Sequence, residues 1–444
     1  MKPEDNYQKY MEERVLPYIL PRREEQYLER EPGKQIYCAF YTAGPCNTDS
    51  SASSVPDDPE SSPSDVAGAC KTKTEDFKKT SSSGTVKGII LISHGFTESA
   101  DKYFEVIYHF LRAGYHVCIP EHCGHGRTYR LVEGDPSLVY VDSWQRYVDD
   151  LKFIALTAKK YWSGGRTSDK TILTSSGMNP YNSNADTSDA GLPGSSGADS
   201  GKTIHSRDSS QENEVSLSLP LYLFAHSMGG GIGAALTAKE PHLFSKVVLS
   251  SPMVRPLTGV VPWPIAKGIV AAMCAAGKET EYVIGQHGYD GKETLETSCA
   301  TSAARHAWYK VKTDTEPLFQ MYAASYGWLR EAIRLNRFLM DDAWQMIEDP
   351  VMLVQAEHDN VVSKDEQVRF IHKLAKARQT PETAATVYGG GKDDVSEKHP
   401  SAADSPQTRS EDVRFVRMAG AKHEIFRSDD ATVEKFLRGC LEFI

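Results

Sequence analysis

Leu221-Tyr-Leu-Phe-Ala-His-Ser-Met-Gly-Gly-Gly231 is the stretch on which the fold turns. A strand-like run, Leu221 to Ala225, leads into a serine and then into a glycine-rich segment that continues as a small-residue helix to Lys239. A serine held between a buried strand and a helix start matches the elbow pattern usually written G-x-S-x-G, in which a tight turn lifts the hydroxyl above the sheet. Such a turn has room only for small residues two before and two after the serine, and here they are Ala225 and Gly229. Alanine in place of the first glycine adds one methyl group. Serine is also a favoured helix N-cap; the strand-turn-helix context is what favours a nucleophile at Ser227.

On both sides of this turn, apolar strands alternate with amphipathic helices. Strands are expected over 34–42, 86–93, 115–120, 246–250, 351–355 and 413–418. Phe104, Ile107, Phe110 and Leu111 share one face of a helix that Gly114 ends, and further helices are expected near 143–161, 364–377 and 430–443. The alternation predicts an α/β protein, a mainly parallel sheet with helices on both faces. It stops over 252–348, a block read as helical that holds four of the six tryptophans and would lie over the strand C-terminal ends. Residues 1–33 read as a helical extension, with Arg22-Arg23 and Glu24-Glu25 on one solvated face.

Of 444 residues, 50 are basic and 60 acidic, for a net charge of −10. That balance excludes a general phosphate-backbone binder, so no nucleic-acid partner is expected. Three polar inserts, 44–82, 163–214 and 385–410, interrupt the alternation. In the second, Ser, Gly, Thr, Asn and Asp fill 33 of 52 positions with no Phe or Trp, too little apolar area to offset ordering entropy. The domain reading is therefore a core over 34–251 and 349–444, split by the 252–348 block, with the inserts expected to be disordered. A polar N-terminus and the lack of an 18-residue apolar run predict neither signal peptide nor transmembrane helix. Eight scattered cysteines without CxxC pairs suggest a reducing compartment, and the expected location is cytoplasmic, peripheral to a membrane at most.

A nucleophilic serine needs a base, and the base an orienting acid. The segment after the 351–355 strand offers Asp359, with Glu357 and Asp365 as weaker rivals; the loop after 413–418 offers His423. The order Ser, Asp, His suits an elbow serine. Oxyanion donors are expected at the backbone N–H groups of Phe96 and Met228, with His94 holding the loop and Gly95 allowing close backbone approach. His122, Cys123 and His125 lack a second cluster to complete a zinc site, so no metal is expected. Residues 196–203 lack the glycine spacing and flanking elements of a phosphate loop.

Taken in order, Ser-His-Gly (93–95), Glu-His-Cys-Gly-His-Gly-Arg (121–127), Tyr-Val-Asp-Asp-Leu (147–151), Ala-His-Ser-Met-Gly-Gly (225–230), Val-Gln-Ala-Glu (354–357) and His-Glu-Ile-Phe (423–426) resemble the lysophospholipase and monoacylglycerol lipase group of α/β-hydrolases, above all its bacterial lysophospholipases. The resemblance runs from about residue 88 to the C-terminus. It implies an α/β-hydrolase fold with a helical cap inserted after the sixth strand and forming an apolar acyl pocket. It also implies Ser227 as nucleophile, His423 as general base and Asp359 as its partner. One departure is the turn usually written Asp-x-Arg-Gly-His-Gly, which reads Glu121-His-Cys-Gly-His-Gly126 and so leaves the loop's internal salt bridging open.

The expected function is hydrolysis of a carboxylic ester with a long acyl chain, a lysophospholipid or monoacylglycerol, without a cofactor. A short-chain carboxylesterase or acyltransferase is the alternative within the fold, and a non-catalytic scaffold the alternative outside it. In 252–348, Trp263, Trp308, Tyr309, Tyr322, Tyr326 and Trp328 are expected to line an acyl site, to touch a membrane surface transiently, or to pack the cap core.

Overall fold

A computed structural model describes residues 3–44, 85–163, 219–378 and 412–444. The polar inserts, and the 196–203 segment with them, lie almost wholly outside the described residues. The strands are β1 (Arg23–Glu31), β2 (Lys34–Tyr41), β3 (Gly88–Ser93), β4 (Tyr115–Pro120), β5 (Leu138–Val139), β6 (Leu221–His226), β7 (Lys246–Ser250), β8 (Ala323–Ala324), β9 (Val351–Ala356) and β10 (Val413–Met418). Eight of them form one sheet in the order β1-β2-β4-β3-β6-β7-β9-β10, antiparallel where β2 meets β1 and β4 and parallel from β4 onward.

The main helices are α1 (Phe104–Arg112), α2 (Trp144–Trp162), α3 (Ser227–Lys239), α4 (Trp263–Ala275), α5 (Ala303–Thr315), α6 (Tyr326–Phe338), α7 (Lys364–Ala377) and α8 (Asp430–Phe443). Strand alternation divides them between two apolar layers. Ile89 and Leu91 face the layer built with α2, α3, α6 and α7, while Ile90 and Ile92 face the layer built with α1 and α8. Strands buried on both faces need apolar residues at every position, which is why β3 reads as a continuous hydrophobic run.

The N-terminus corrects the sequence reading. Helical turns run only from Pro3 to Arg22, where Met11, Val15 and Ile19 repeat every four residues and are buried against the α1 and α8 layer. Arg23 then opens β1, so the expected helix does not continue to residue 33. β1 is an edge strand paired only with β2, and its charged residues suit a position that must resist further pairing. Pro32-Gly33 makes the hairpin turn, with Gly33 at φ +74°.

Between β7 and β9, residues 252–348, read as an irregular helical block, contain α4, α5 and α6, with turns over 276–302. Gly277, Gly285, Gly288 and Gly291 interrupt any helical run there. This inserted segment is tied to the core by the short parallel pair β5 and β8. Among the described residues, no helix is long and apolar enough to cross a membrane.

Candidate active site

Ser227 sits where β6 gives way to α3, two residues before the expected helix start, and its φ of +53° is a left-handed conformation that a non-glycine residue adopts only under constraint. Several contacts supply that constraint. A Cβ on Gly229 would lie 2.3 Å from the Ser93 carbonyl oxygen, so only glycine lets α3 lie against the end of β3. Ala225 is fully buried, His226 Nδ1 donates to the Ser250 carbonyl at 3.1 Å, and Met253 N–H donates to the Ser227 carbonyl at 2.7 Å.

Across from this turn, the loop after β10 presents His423 and the turn after β9 presents Asp359. His423 Nε2 lies 2.7 Å from Ser227 Oγ, and His423 Nδ1 lies 2.7 Å from Asp359 Oδ2. The other Asp359 oxygen accepts from the Val361 and Val362 amides at 2.9 and 3.0 Å, which fixes the carboxylate plane. Ser227, His423 and Asp359 are 4%, 3% and 7% exposed. Burial opposes charge on His423, but the Asp359 carboxylate outweighs it and holds the imidazole above the ordinary histidine value. Burial likewise raises Asp359, yet His423 and the two amides bring it below the usual carboxylate range.

The rival acids are elsewhere. Glu357 accepts from the Gly420 amide and is half-buried, and Asp365 lies in the first turn of α7 on the exposed side.

The loop after β3 lies against the same turn. His94 Nδ1 donates to the Gly95 carbonyl at 2.8 Å, and its Nε2 accepts from the His122 amide at 2.9 Å, so the ring braces two loops. Gly95 leaves no space for a Cβ beside the Glu98 carboxylate and the His226 ring. Phe96 packs against Trp328 with ring centroids 4.2 Å apart and the ring planes inclined at 44°. Met228 occupies the first turn of α3, where backbone N–H groups have no acceptor within the helix. His122 Nε2 meets Ser93 Oγ, and His125 Nδ1 donates to the Cys123 carbonyl; burial pushes both rings well below the ordinary histidine value, so they are neutral supports.

The salt bridging that the altered turn left open is present, between Glu121 and Arg127. Glu121 accepts from the Arg127 backbone N–H at 2.6 Å and from its guanidinium, and Arg127 also reaches Asp101 at 2.9 Å.

Over the site, α6 brings Trp328 and Leu335 against Met228, with Trp144, Tyr147 and Met253 completing an apolar recess of about 10 Å³. Of the aromatics singled out in 252–348, Trp328 therefore belongs to this wall. Trp308 instead packs edge-on against Tyr7 of the N-terminal turns, and Tyr309 is hydrogen-bonded to Ser99 Oγ. The sequence did not single out Glu98, Lys102, Glu424 and Arg427 as a group, a buried charged cluster beside His423; Lys102 follows Glu98 by four residues and Arg427 follows Glu424 by three, the local hints of two pairs.

An aligned carboxylate, imidazole and hydroxyl can move the serine proton onto the imidazole while the carboxylate stabilises the cation formed. Comparison with known proteins agrees with this arrangement of elements. A family model described as serine aminopeptidase, S33 (Hydrolase_4), matches residues 84–173 and 202–388, more than half of the chain. Lysophospholipase L2 of Escherichia coli is 24% identical over 290 residues, which take in 64% of this chain and 66% of that protein, just under two thirds of its length. A monoacylglycerol lipase of Mycolicibacterium smegmatis is 24% identical over 195 residues, 44% of this chain and 48% of the relative. Among solved structures, a soluble variant of monoglyceride lipase from Saccharomyces cerevisiae, in complex with a substrate analog, shares the fold with a TM-score of 0.54 at 15% identity, over 95% of this chain and 94% of that one. With the family model covering most of the core and the sheet order in place, the chain belongs to the Hydrolase_4 family of α/β-hydrolases.

Proposed function

We propose that this protein is a serine hydrolase that cleaves the carboxylic ester of a lipid-like substrate, a lysophospholipid or monoacylglycerol, through an acyl-enzyme. The observation that carries the reading is the pair of 2.7 Å contacts joining Ser227 Oγ to His423 and His423 to Asp359. Ser227 Oγ attacks the ester carbonyl while His423 Nε2 takes its proton. The amides of Phe96 and Met228 stabilise the tetrahedral oxyanion. Collapse breaks the bond to the alcohol oxygen, which leaves with the proton from His423. Water, deprotonated by His423, then attacks the acyl carbon, and the fatty acid departs as Ser227 recovers its proton.

The apolar character of the Trp328, Met228 and Leu335 wall suits an acyl chain, and the names of the relatives point to the same substrate class. Val260 is 99% exposed and Ile265 56%, an apolar rim suited to transient contact with a lipid surface. One observation favours the short-chain alternative: the recess beside Met228 holds about one water molecule, so a long chain requires α6 to shift.

Purified protein challenged with lysophospholipids, monoacylglycerols, short p-nitrophenyl esters and an amino-acid arylamide tests the reading. Lipid ester cleavage that Ser227→Ala abolishes, together with loss of fluorophosphonate labelling, supports it. Preference for butyryl over palmitoyl esters moves the assignment to a short-chain esterase, arylamide cleavage to a peptidase, and absence of labelling in folded protein to a scaffold.

A further inference from the structure

A chain of four buried charges lies beside the imidazole of His423, outside the Ser-His-Asp relay. Lys102 Nζ is 3.1 Å from Glu98 Oε1 and 2.6 Å from Glu424 Oε1. The second oxygen of Glu98 accepts from the Gly95 amide at 2.6 Å and from the Tyr103 hydroxyl. The second oxygen of Glu424 accepts from Arg427. The side chains of Glu98, Lys102, Glu424 and Arg427 are all less than a tenth exposed.

Two active-site loops are involved. Gly95, held by Glu98, precedes Phe96, whose amide is assigned to the oxyanion hole; Glu424 directly follows His423. Lys102 is therefore the link between the loop that receives the developing negative charge and the loop that carries the base. We propose that Lys102 is a positioning residue, fixing the Phe96 loop and the His423 loop at one separation by binding a carboxylate from each. This inference rests on the serine-hydrolase reading above.

Physical chemistry favours a cation at this point. Without it, two buried carboxylates from different loops would repel at close range in a poorly solvated site. The four charges balance, so the cluster adds no net charge to the site. The groups facing His423 are Asp359 and Ser227 by direct contact, the His226 ring at 4.9 Å, and the Glu424 and Glu98 carboxylates, both of which favour its protonated form. His226 adds no charge here, because burial holds it down to about 4. Lys102 also lies 5.2 Å from the Tyr309 ring, which anchors its ammonium toward the inserted segment.

The test uses the full chain with p-nitrophenyl butyrate, a fluorophosphonate and three variants: Lys102→Met, Lys102→Arg, and Glu98→Gln with Lys102→Met. The double variant keeps the charges balanced, and its glutamine can still accept from Gly95 N–H, so it guards against simple misfolding. Positioning predicts that both Met variants lose at least about tenfold in kcat with KM within about twofold, since loop separation matters most in the transition state. Lys102→Arg should recover most of that loss. In Lys102→Met alone, the acid limb of kcat/KM should also move to higher pH, because one net negative charge is left near His423 once Arg427 is the cluster's remaining cation. A folded double variant with wild-type kcat, KM and labelling rate overturns the proposal. A wild-type protein that neither hydrolyses the ester nor labels at Ser227 overturns the underlying serine-hydrolase reading, and this inference with it.

Discussion

Asp359 and His423 are 64 residues apart in sequence, yet Asp359 Oδ2 meets His423 Nδ1 at 2.7 Å while Asp359 Oδ1 is held by two backbone amides. The carboxylate thus fixes which imidazole nitrogen carries the proton and leaves Nε2 free to accept from Ser227. Asp359→Asn should keep the fold and KM but lower kcat by about 10³–10⁴-fold, the cost of losing the correct tautomer and the charge behind it. Steady-state kinetics on a short ester, with circular dichroism as the folding control, checks this. A loss below tenfold would move the acid role to another carboxylate.

The same pair sets the pH response. In the proposed mechanism neutral His423 is the base, and the Asp359 carboxylate holds its pKa above the ordinary value of 6.5. Activity should therefore rise with pH along a one-proton limb whose midpoint is above 6.5. Burial keeps His94, His122, His125 and His226 below the ordinary value, so they should not add a second ionisation to that limb. Asp359→Asn should shift the limb to lower pH, since the carboxylate that favours imidazolium is gone. The measurement is kcat/KM from pH 5 to 9.

Gly229 should not tolerate a side chain. Its Cβ would fall 2.3 Å from the Ser93 carbonyl oxygen and 2.4 Å from that of His94, both backbone atoms that cannot rotate away. Gly229→Ala should destabilise the fold by about 3 kcal/mol, the upper range for overpacking. It should also displace the Met228 amide and depress kcat. Chemical denaturation and kinetics on the same preparation read both effects.

Away from the site, Arg305 on α5 binds Glu105 on α1 through two contacts, 2.7 and 2.8 Å, and reaches Asp430 at 2.9 Å; Tyr7 donates to the same Glu105. These contacts fasten the inserted segment and the N-terminal turns to the core. Arg305→Met should cost about 3–5 kcal/mol, because it strands a buried carboxylate. Adding Glu105→Gln should restore much of that loss. Thermal unfolding of the single and double variants separates the two cases.

Local chemistry is what the sequence determined. Apolar runs such as Gly88–Ser93 and Val351–Ala356 can be satisfied only between two helical layers, so strand positions and the parallel sheet were legible from hydrophobic pattern. The elbow was equally legible, because Ala225, Ser227 and Gly229 are neighbours in the chain and their size requirement is local. β1 was not: an edge strand with a charged sequence, Arg23–Glu31, takes its conformation from pairing with β2 rather than from its own apolar residues. Tertiary structure alone decided that Asp359, not Glu357 or Asp365, meets His423, since all three follow the same strand and only the path of the turn separates them. It alone decided that Glu121 bridges to Arg127, and that Lys102 and Glu424, 322 residues apart, form an ion pair beside His423. Charge pairing between distant loops leaves no periodicity in a sequence, because its energy depends on a separation that exists only after the sheet has formed.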